Sequence, residues 1–253
     1  RSTTKRTSTP PASKVKSLPD YSCGSSSVYV TSQAELDAYH ADFGWDGEKF
    51  AKLKVKFNPE GNVFLYSPCL IKLQGEDDYL DVSADLVCAY GDEGVQVAVD
   101  ASNKDLGIDA DSITLKSNEG SVIVGKNVSI GASYLEMIGA RRVQVQQAGT
   151  VLVDTLVMSS TGSSPISVAR LAHNVEVYAD TITMSAPKTV EFGNGVSVSA
   201  VDVLLQSTGT SPGSGAGMLS TATADVLGTF SFLSNKKAYL NNDTSTTVGG
   251  EFT

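Results

Sequence analysis

A two-residue pattern, a small residue followed in most cases by aspartate, recurs along this chain at intervals of 21 to 26 residues. It opens segments such as Ala110-Asp111-Ser-Ile-Thr-Leu, in which apolar and polar residues alternate as a half-buried β-strand requires. The second residue of the pattern falls at positions 85, 111, 133, 154, 180, 201 and 225. Self-similarity with a period of this length predicts that short structural units stack along one axis.

Each full unit contains three short apolar runs, bounded by Gly, Asn, Ser or Asp. In the unit that begins at Ala110 the runs are Ser112–Leu115, Ser121–Val124 and Val128–Ile130. Three strands per unit predict one coil of a right-handed parallel β-helix, with about seven coils of 21 to 26 residues in all. A β-sandwich would also give many short strands, but it does not explain the periodic small residue and aspartate.

The chain divides into four predicted segments. Residues 1–20 are rich in Ser, Thr, Pro and Lys and predict a disordered linker, and residues 59–235 form the β-helix. Residues 21–58 predict an N-terminal cap, in which Ser32 and Glu35 fit a helix capping box and a strand follows at 52–57. We expect the short helix to precede the first strand. Residues 236–253 are less regular and predict a C-terminal cap or tail.

The charge of the chain is uneven. Residues 1–20 carry a net charge of +4 and the remaining residues a net charge of −13, which together give the −9 of the whole chain. Phosphate backbones repel such a body, so nucleic acid is not an expected partner. No run of 18 apolar residues occurs, which predicts no transmembrane segment. The chain begins at Arg1 with neither an initiator methionine nor a signal-peptide apolar region, so we expect a cleaved leader or a trimmed chain.

With these coils the chain resembles the right-handed parallel β-helix superfamily, which includes pectin-lyase-like enzymes, phage tailspikes and the passenger stalks of bacterial surface adhesins. The resemblance covers about residues 60–235 and rests on coil period and strand count. It implies an exported protein, at a secreted, periplasmic or cell-surface location. The expected function is that of a non-enzymatic surface adhesin or stalk, or a carbohydrate-binding module, with a polysaccharide or another cell-surface component as partner.

The alternative function is that of a polysaccharide lyase or glycoside hydrolase on the same fold. The lyases of this superfamily combine acidic calcium ligands with an arginine or lysine base. By their offsets, the basic residues of the coils do not form one column facing the aspartates, and no GxSxG motif occurs. We therefore predict no catalytic residues, and the sequence does not indicate the oligomeric state.

Five aspartates are predicted to lie in one column, because they occupy equivalent positions of their coils: Asp85, Asp111, Asp154, Asp180 and Asp225. The first four are the ones considered as ligands. Oxygen ligands in loops suit calcium, which makes these residues candidate metal ligands. The favoured interpretation is that each aspartate starts a strand at a turn, where its side chain bonds the backbone. No other cofactor is expected.

Two tyrosines and two arginines are the candidate ligand-binding residues. Tyr134 and Tyr178 would stack on sugar rings if they are exposed, although they do not share one coil offset, and Arg141 and Arg142 are the basic candidates.

Three cysteines are disulfide candidates: Cys23, Cys69 and Cys88. The predicted coil alignment places Cys69 and Cys88 about three positions apart, beyond the ~7 Å between Cα atoms that a bridge allows. Cys23 with Cys69 is the favoured pair.

Overall fold

The structure is a computed structural model that describes residues 27–41, 52–59, 61–75, 79–99, 106–163 and 166–253. The predicted linker at 1–20 and the disulfide candidate Cys23 lie outside these residues. In chain order, the helix and strands are β1 (Ser27–Val30), α1 (Gln33–Ala41), β2 (Lys52–Val55), β3 (Val63–Ser67), β4 (Leu70–Leu73), β5 (Asp81–Gly91), β6 (Gly94–Val97), β7 (Leu106–Lys116), β8 (Ser121–Val124), β9 (Val128–Gly139), β10 (Arg142–Val145), β11 (Thr150–Ser160), β12 (Val168–Leu171), β13 (Glu176–Ala186), β14 (Thr189–Phe192), β15 (Ser197–Ser207), β16 (Gly215–Met218), β17 (Thr223–Val226), β18 (Phe230–Ser234), β19 (Ala238–Leu240) and β20 (Ser245–Val248).

The described strands form two ten-stranded parallel sheets that wind around one axis. Sheet A has the order β1-β2-β4-β6-β8-β10-β12-β14-β16-β19. Sheet B has the order β20-β17-β15-β13-β11-β9-β7-β5-β3, and β18 also pairs with β15. Each short strand of sheet A alternates along the chain with a strand of sheet B over most of the molecule. This arrangement confirms the predicted all-β parallel β-helix, with about eight turns.

The long strands of sheet B turn a corner at the recurring two-residue pattern. Between β7 and β9, Ala110 pairs with Ala132 and Ser112 pairs with Tyr134, whereas Asp111 between them has no paired partner. The in–out alternation also breaks there, because Asp111 and Ser112 both point away from the core. We call the residues before this corner the first arm and those after it the second arm. Two of the three predicted runs in each coil are therefore one continuous bent strand.

The core consists of columns of apolar side chains stacked from coil to coil. One column contains Ile113, Leu135, Leu156, Ile182 and Val203, each paired in register with the next and at most 2% exposed. Neighbouring strands lie about 4.8 Å apart, so each side chain packs directly on an equivalent one. This stacking buries the apolar face that a single coil would expose, and it explains why the sequence repeats with the coil.

The N-terminal segment differs from the prediction in one respect. Strand β1 precedes α1 and pairs with β2, so a strand, not the helix, comes first among the described residues. The predicted capping box forms in part: the Glu35 amide donates to Ser32 Oγ at 3.3 Å, but the Glu35 carboxylate accepts from the amide of Thr31, at 2.7 Å. Leu36 is fully buried in the core, which anchors the helix on the first coils.

The C-terminal coils correct two expectations. Ala200 pairs with Val226, so Asp225 lies two residues before the corner position and pairs with Ser199 and Thr247 instead. Leu227 takes the corner position that the sequence pattern assigned to Asp225. In addition, β19 extends sheet A and β20 extends sheet B, so the coils continue through the segment 236–253 that was predicted as a cap or tail.

We expect that truncating the stacked core destabilises the protein far more than truncating an exposed leucine of the same sheet. Leu135→Ala should lower the free energy of unfolding by about 2–5 kcal/mol, because the cavity cannot collapse between the coils above and below. Leu152→Ala, at a position that is 60% exposed, should change it by less than about 0.5 kcal/mol. Urea denaturation followed by circular dichroism measures both values, and equal effects would contradict the stacked-core description.

A second prediction concerns Asp202, which holds the loop before β18. Its Oδ1 accepts from the Thr229 hydroxyl at 2.7 Å and from the Thr229 amide at 2.8 Å, and these bonds lower the pKa of the carboxyl below its ordinary 3.8. Because the folded pKa is lowered, the bonds stabilise the protein above pH 3.8, and this contribution is lost as pH falls through the folded value.

Asp202→Asn should therefore lower the melting temperature at neutral pH, with a difference from wild type that shrinks in acid. Asp225→Asn, at an exposed position without these bonds, is the matched control. A difference that is constant with pH, or that grows in acid, would rule out the carboxylate as the source.

Candidate functional site

The corner positions of sheet B bring the four predicted aspartates into one exposed column. Residues on both sides of Asp85 and Asp111 pair in register, as do those flanking Asp154 and Asp180. Each of these pairs therefore spans neighbouring coils, about 4.8 Å apart. Ser133 separates Asp111 from Asp154, so the two pairs lie two coils apart. The structure thus places these four aspartates in one column, whereas Asp225 lies outside it.

A shallow groove follows this column on the outer surface. Its cavity of about 480 Å³ is lined by residues of β5, β7, β9 and β11. Asp111, Ser133 and Asp154 contribute from the corners, and Ser83 and Asp109 contribute from the first arm. A second cavity of about 330 Å³ continues the groove around Asn62 and Asp85. Neither cavity is lined by Arg, Lys or His, so the polar groups that the groove presents are carboxylates, hydroxyls, the Asn62 amide and backbone.

The aspartates do not stabilise the corners through hydrogen bonds, contrary to the favoured interpretation of the sequence. Within the described part of the chain, the carboxylates of Asp85, Asp111, Asp154 and Asp180 have no hydrogen-bond or ion-pair partner, whereas Asp202 bonds Thr229. The small residue before each corner has a steric role instead. Ala110 and Ala200 are each 5% exposed, and Val153 and Val226 are buried at the same position of their coils, so this position faces the core and takes small or β-branched side chains.

The column does not assemble a complete metal centre. Among the described residues, no group of three or more His, Cys, Asp or Glu side chains is positioned to hold a metal ion. Calcium prefers six to eight oxygen ligands, whereas each neighbouring aspartate pair supplies two carboxylates. The four carboxylates of the column are exposed to solvent.

Tyr178 lies beside the groove. It is 47% exposed on the first arm of β13, and it pairs in register with Leu152, which lines the groove and is 60% exposed. Two exposed apolar side chains on neighbouring coils form a small platform next to the carboxylates. Asp109 and Leu152 were not singled out in the sequence, although both lie two residues before a corner, where the alternation directs side chains outward.

Tyr134 lies on the other side of the corner, on the second arm, next to a charged cluster. Lys116 Nζ contacts Glu136 Oε2 at 2.7 Å, and Tyr134 and Tyr90 flank this ion pair. Burial lowers the pKa of Lys116, but the hydrogen bond and charge of Glu136 outweigh it and raise that pKa overall. Burial and the Glu136 charge raise the pKa of Tyr134. Tyr134 thus belongs to a cluster separate from the groove.

Arg141 and Arg142 lie outside the strands that carry the two tyrosines. Arg141 follows the end of β9, where its amide donates to the Gly120 carbonyl at 3.0 Å, and Arg142 begins β10 in sheet A. Both are exposed. Arg141 lies seven residues beyond Tyr134 in the chain, past the end of β9 at Gly139. The four predicted ligand-binding residues therefore do not converge on one site, and of them only Tyr178 adjoins the groove.

Two of the three cysteines fall within the described residues. Cys69 is disulfide-bonded and fully buried, whereas Cys88 is a free thiol that is 9% exposed. A bridge between Cys69 and Cys88 is thereby excluded. Burial raises the pKa of the Cys88 thiol, although a hydrogen bond with Tyr90 opposes this effect.

The two parallel sheets, the stacked core and the open outer groove define a parallel β-solenoid. Comparisons with protein-family models, with curated proteins and with solved structures found no match to this chain. Among the described residues, no helix has the length and apolar character needed to cross a membrane.

If the corner aspartates serve contact with a partner and not the stability of the fold, their mutual repulsion should slightly lower the stability of the protein. Asp154 and Asp180 repel each other, by about 0.8 kcal/mol for unit charges at 5 Å in water. Asp180→Asn should therefore raise the melting temperature in low salt, and the gain should fade as salt screens the repulsion.

Asp225→Asn removes the same charge from a strand where the neighbours are Ser199 and Thr247, so it should give no such gain. Differential scanning calorimetry at two salt concentrations compares the two variants. A lower melting temperature for Asp180→Asn would show that the carboxylate supports the corner instead.

Proposed function

We propose that this protein is an exported, non-enzymatic β-solenoid that binds a neutral, hydroxyl-rich glycan along the outer groove, as a surface adhesin, stalk or carbohydrate-binding module does. The observation that carries the proposal is the column of partner-free carboxylates, with Asp111 and Asp154 lining a groove of about 480 Å³. Carboxylates accept hydrogen bonds from hydroxyl groups, and such charge-assisted bonds are stronger than neutral ones.

The neighbouring side chains support a sugar ligand. Leu152 and Tyr178 offer an apolar platform against which the C–H face of a ring can pack, while the groove polar groups orient its hydroxyls. Ser83 and Ser133 add hydroxyl groups that both donate and accept. An acidic polysaccharide would be repelled by the carboxylates, so a neutral glycan fits best.

Export is supported by the disulfide at Cys69, because disulfides persist in oxidising compartments. The same groove argues against lyase chemistry, since no arginine or lysine lines it to act as base. Glycoside hydrolysis is the second candidate, because carboxylates in neighbouring coils, such as Asp85 and Asp111, approach the separation of about 5–5.5 Å found in retaining enzymes.

The first experiment is a glycan-array screen, followed by titration calorimetry with the oligosaccharide that binds best and a reducing-end assay on the same sugar. We expect binding without turnover. The double variant Asp111→Asn/Asp154→Asn and the single variant Tyr178→Ala should each weaken binding about ten-fold, or 1.4 kcal/mol.

Asp225→Asn and Tyr134→Ala are the matched controls, because they remove the same groups from exposed positions outside the groove, and they should bind as wild type does. Release of reducing or unsaturated ends at enzymatic rates would replace the binding module with the enzyme. Failure to bind any neutral glycan, or equal losses in the controls, would overturn the groove as the site.

A further inference from the structure

The charged residues of the strands are divided between the two sheets by sign. The strands of sheet A contain five basic residues and one acidic residue: Lys52, Lys54, Lys72, Arg142 and Arg170, with Glu191. The described strands of sheet B contain ten acidic residues and one basic residue: Asp81, Asp85, Asp109, Asp111, Glu136, Asp154, Glu176, Asp180, Asp202 and Asp225, with Lys116. Sheet A therefore has a net charge of +4 and sheet B a net charge of −9.

In each sheet, the one residue of the minority sign is neutralised within its own sheet. Lys116 Nζ contacts Glu136 Oε2 at 2.7 Å in sheet B, and Arg170 Nε contacts Glu191 Oε1 at 3.0 Å in sheet A. Neither ion pair bridges the two sheets, so the opposite charges of the faces are not compensated by these contacts. None of these charged residues belongs to the apolar core, so their charge acts outward.

The acidic charge is further confined to one side of the corner. Eight of the ten acidic residues lie on the first arm or at the corner positions, and the second arm carries only Glu136 and Asp202 together with Lys116. The first arm and the corners thus form an acidic face that runs along the solenoid axis. In sheet A the basic residues lie on β2 and β4 and again on β10 and β12, in two clusters along the same axis, and we call this surface the basic face.

We propose that copies of this protein associate side by side, with the basic face of sheet A in one copy against the acidic face of sheet B in the next. The second copy is the partner because its surface supplies the complementary charge along the same axis. The contact is heterologous, because it uses different faces of the two copies, so each copy keeps one face for a further neighbour.

The available area predicts a weak, salt-sensitive contact. Ten strands of four residues cover about 43 Å by 13 Å, or roughly 560 Å² per partner, whereas a stable interface buries about 800 Å² per partner. Electrostatic attraction then supplies much of the affinity, and salt should remove it.

Such a contact would cover the groove, so glycan binding is measured in about 0.5 M NaCl, where charges are screened. A failure of one proposal then leaves the other intact.

The test is a charge-reversal exchange followed by sedimentation velocity in low salt. The basic-face variant Lys54→Glu/Arg142→Glu and the acidic-face variant Asp180→Lys/Asp225→Lys lie outside the groove lining, and both should sediment as monomers. Wild type should form concentration-dependent oligomers in about 20 mM NaCl, with an association constant at least about ten-fold lower in 0.5 M NaCl. An equimolar mixture of the two variants should recover association, because each then offers the charge that the other lacks.

The matched controls change net charge by the same amount outside both faces. Lys126→Glu/Lys236→Glu and Glu119→Lys/Glu251→Lys alter exposed residues between strands, and they should associate as wild type does. Circular dichroism confirms that each variant keeps its fold. Monomeric wild type at every concentration in low salt would overturn the proposal. Continued association of the basic-face variant would do so as well, and would point instead to the basic segment 1–20 as the group that binds the acidic face.

Discussion

The register between successive coils is the constraint on which the rest of the molecule depends. Because every strand hydrogen-bonds to its equivalents above and below, each side chain is surrounded by residues from the same position of neighbouring coils. A shift by one residue would turn the whole apolar set of a strand toward solvent. The column from Ile113 to Val203 makes such a shift costly in several coils at once. The outer surface inherits the same order, which is why carboxylates at Asp154 and Asp180 become neighbours.

The sequence predicts the coil well because burial imposes two periods on it: apolar residues alternate within each strand, and the whole pattern repeats once per coil. The small residue at Ala110 and at the equivalent positions indicates the corner, and the alternation of apolar and polar residues around it indicates the strands. The register near the C-terminus was misassigned because Ala224-Asp225 imitates the corner pattern two residues early. Pairing of Ala200 with Val226 corrects it, and the interval from Val201 to Leu227 then matches the longer coils. Strand β1 escaped notice because four residues, Ser27–Val30, carry too little alternation to distinguish a strand from a loop.

The candidate site was predictable only in part. The column of Asp85, Asp111, Asp154 and Asp180 follows from coil spacing alone, whereas Asp225, which the same spacing placed in it, lies two residues before the corner. The grouping of Tyr134, Tyr178, Arg141 and Arg142 could not be tested by spacing, because it depends on which side of the corner each residue falls. The corner separates Tyr134 from the groove, and Arg142 belongs to the other sheet. Asp109 and Leu152 were missed because exposed strand positions accept many residue types, so the sequence does not mark them. Their place in the groove becomes visible only in the structure.

The residue at each corner has no cross-strand pairing partner, so its side chain is less constrained than those at the paired positions. At Asp111, Ser133 and Asp154 the residue neither packs in the core nor takes part in a cross-strand pair, so we expect these positions to tolerate exchange without a change of fold. The side chains at the corner positions therefore recur along the solenoid axis only at multiples of the strand spacing. If the groove binds a polymer, as proposed above, recognition depends on whether the repeat length of the polymer matches the strand spacing. A ligand whose repeat matches the spacing gains one contact per coil, and one whose repeat drifts falls out of step after a few units.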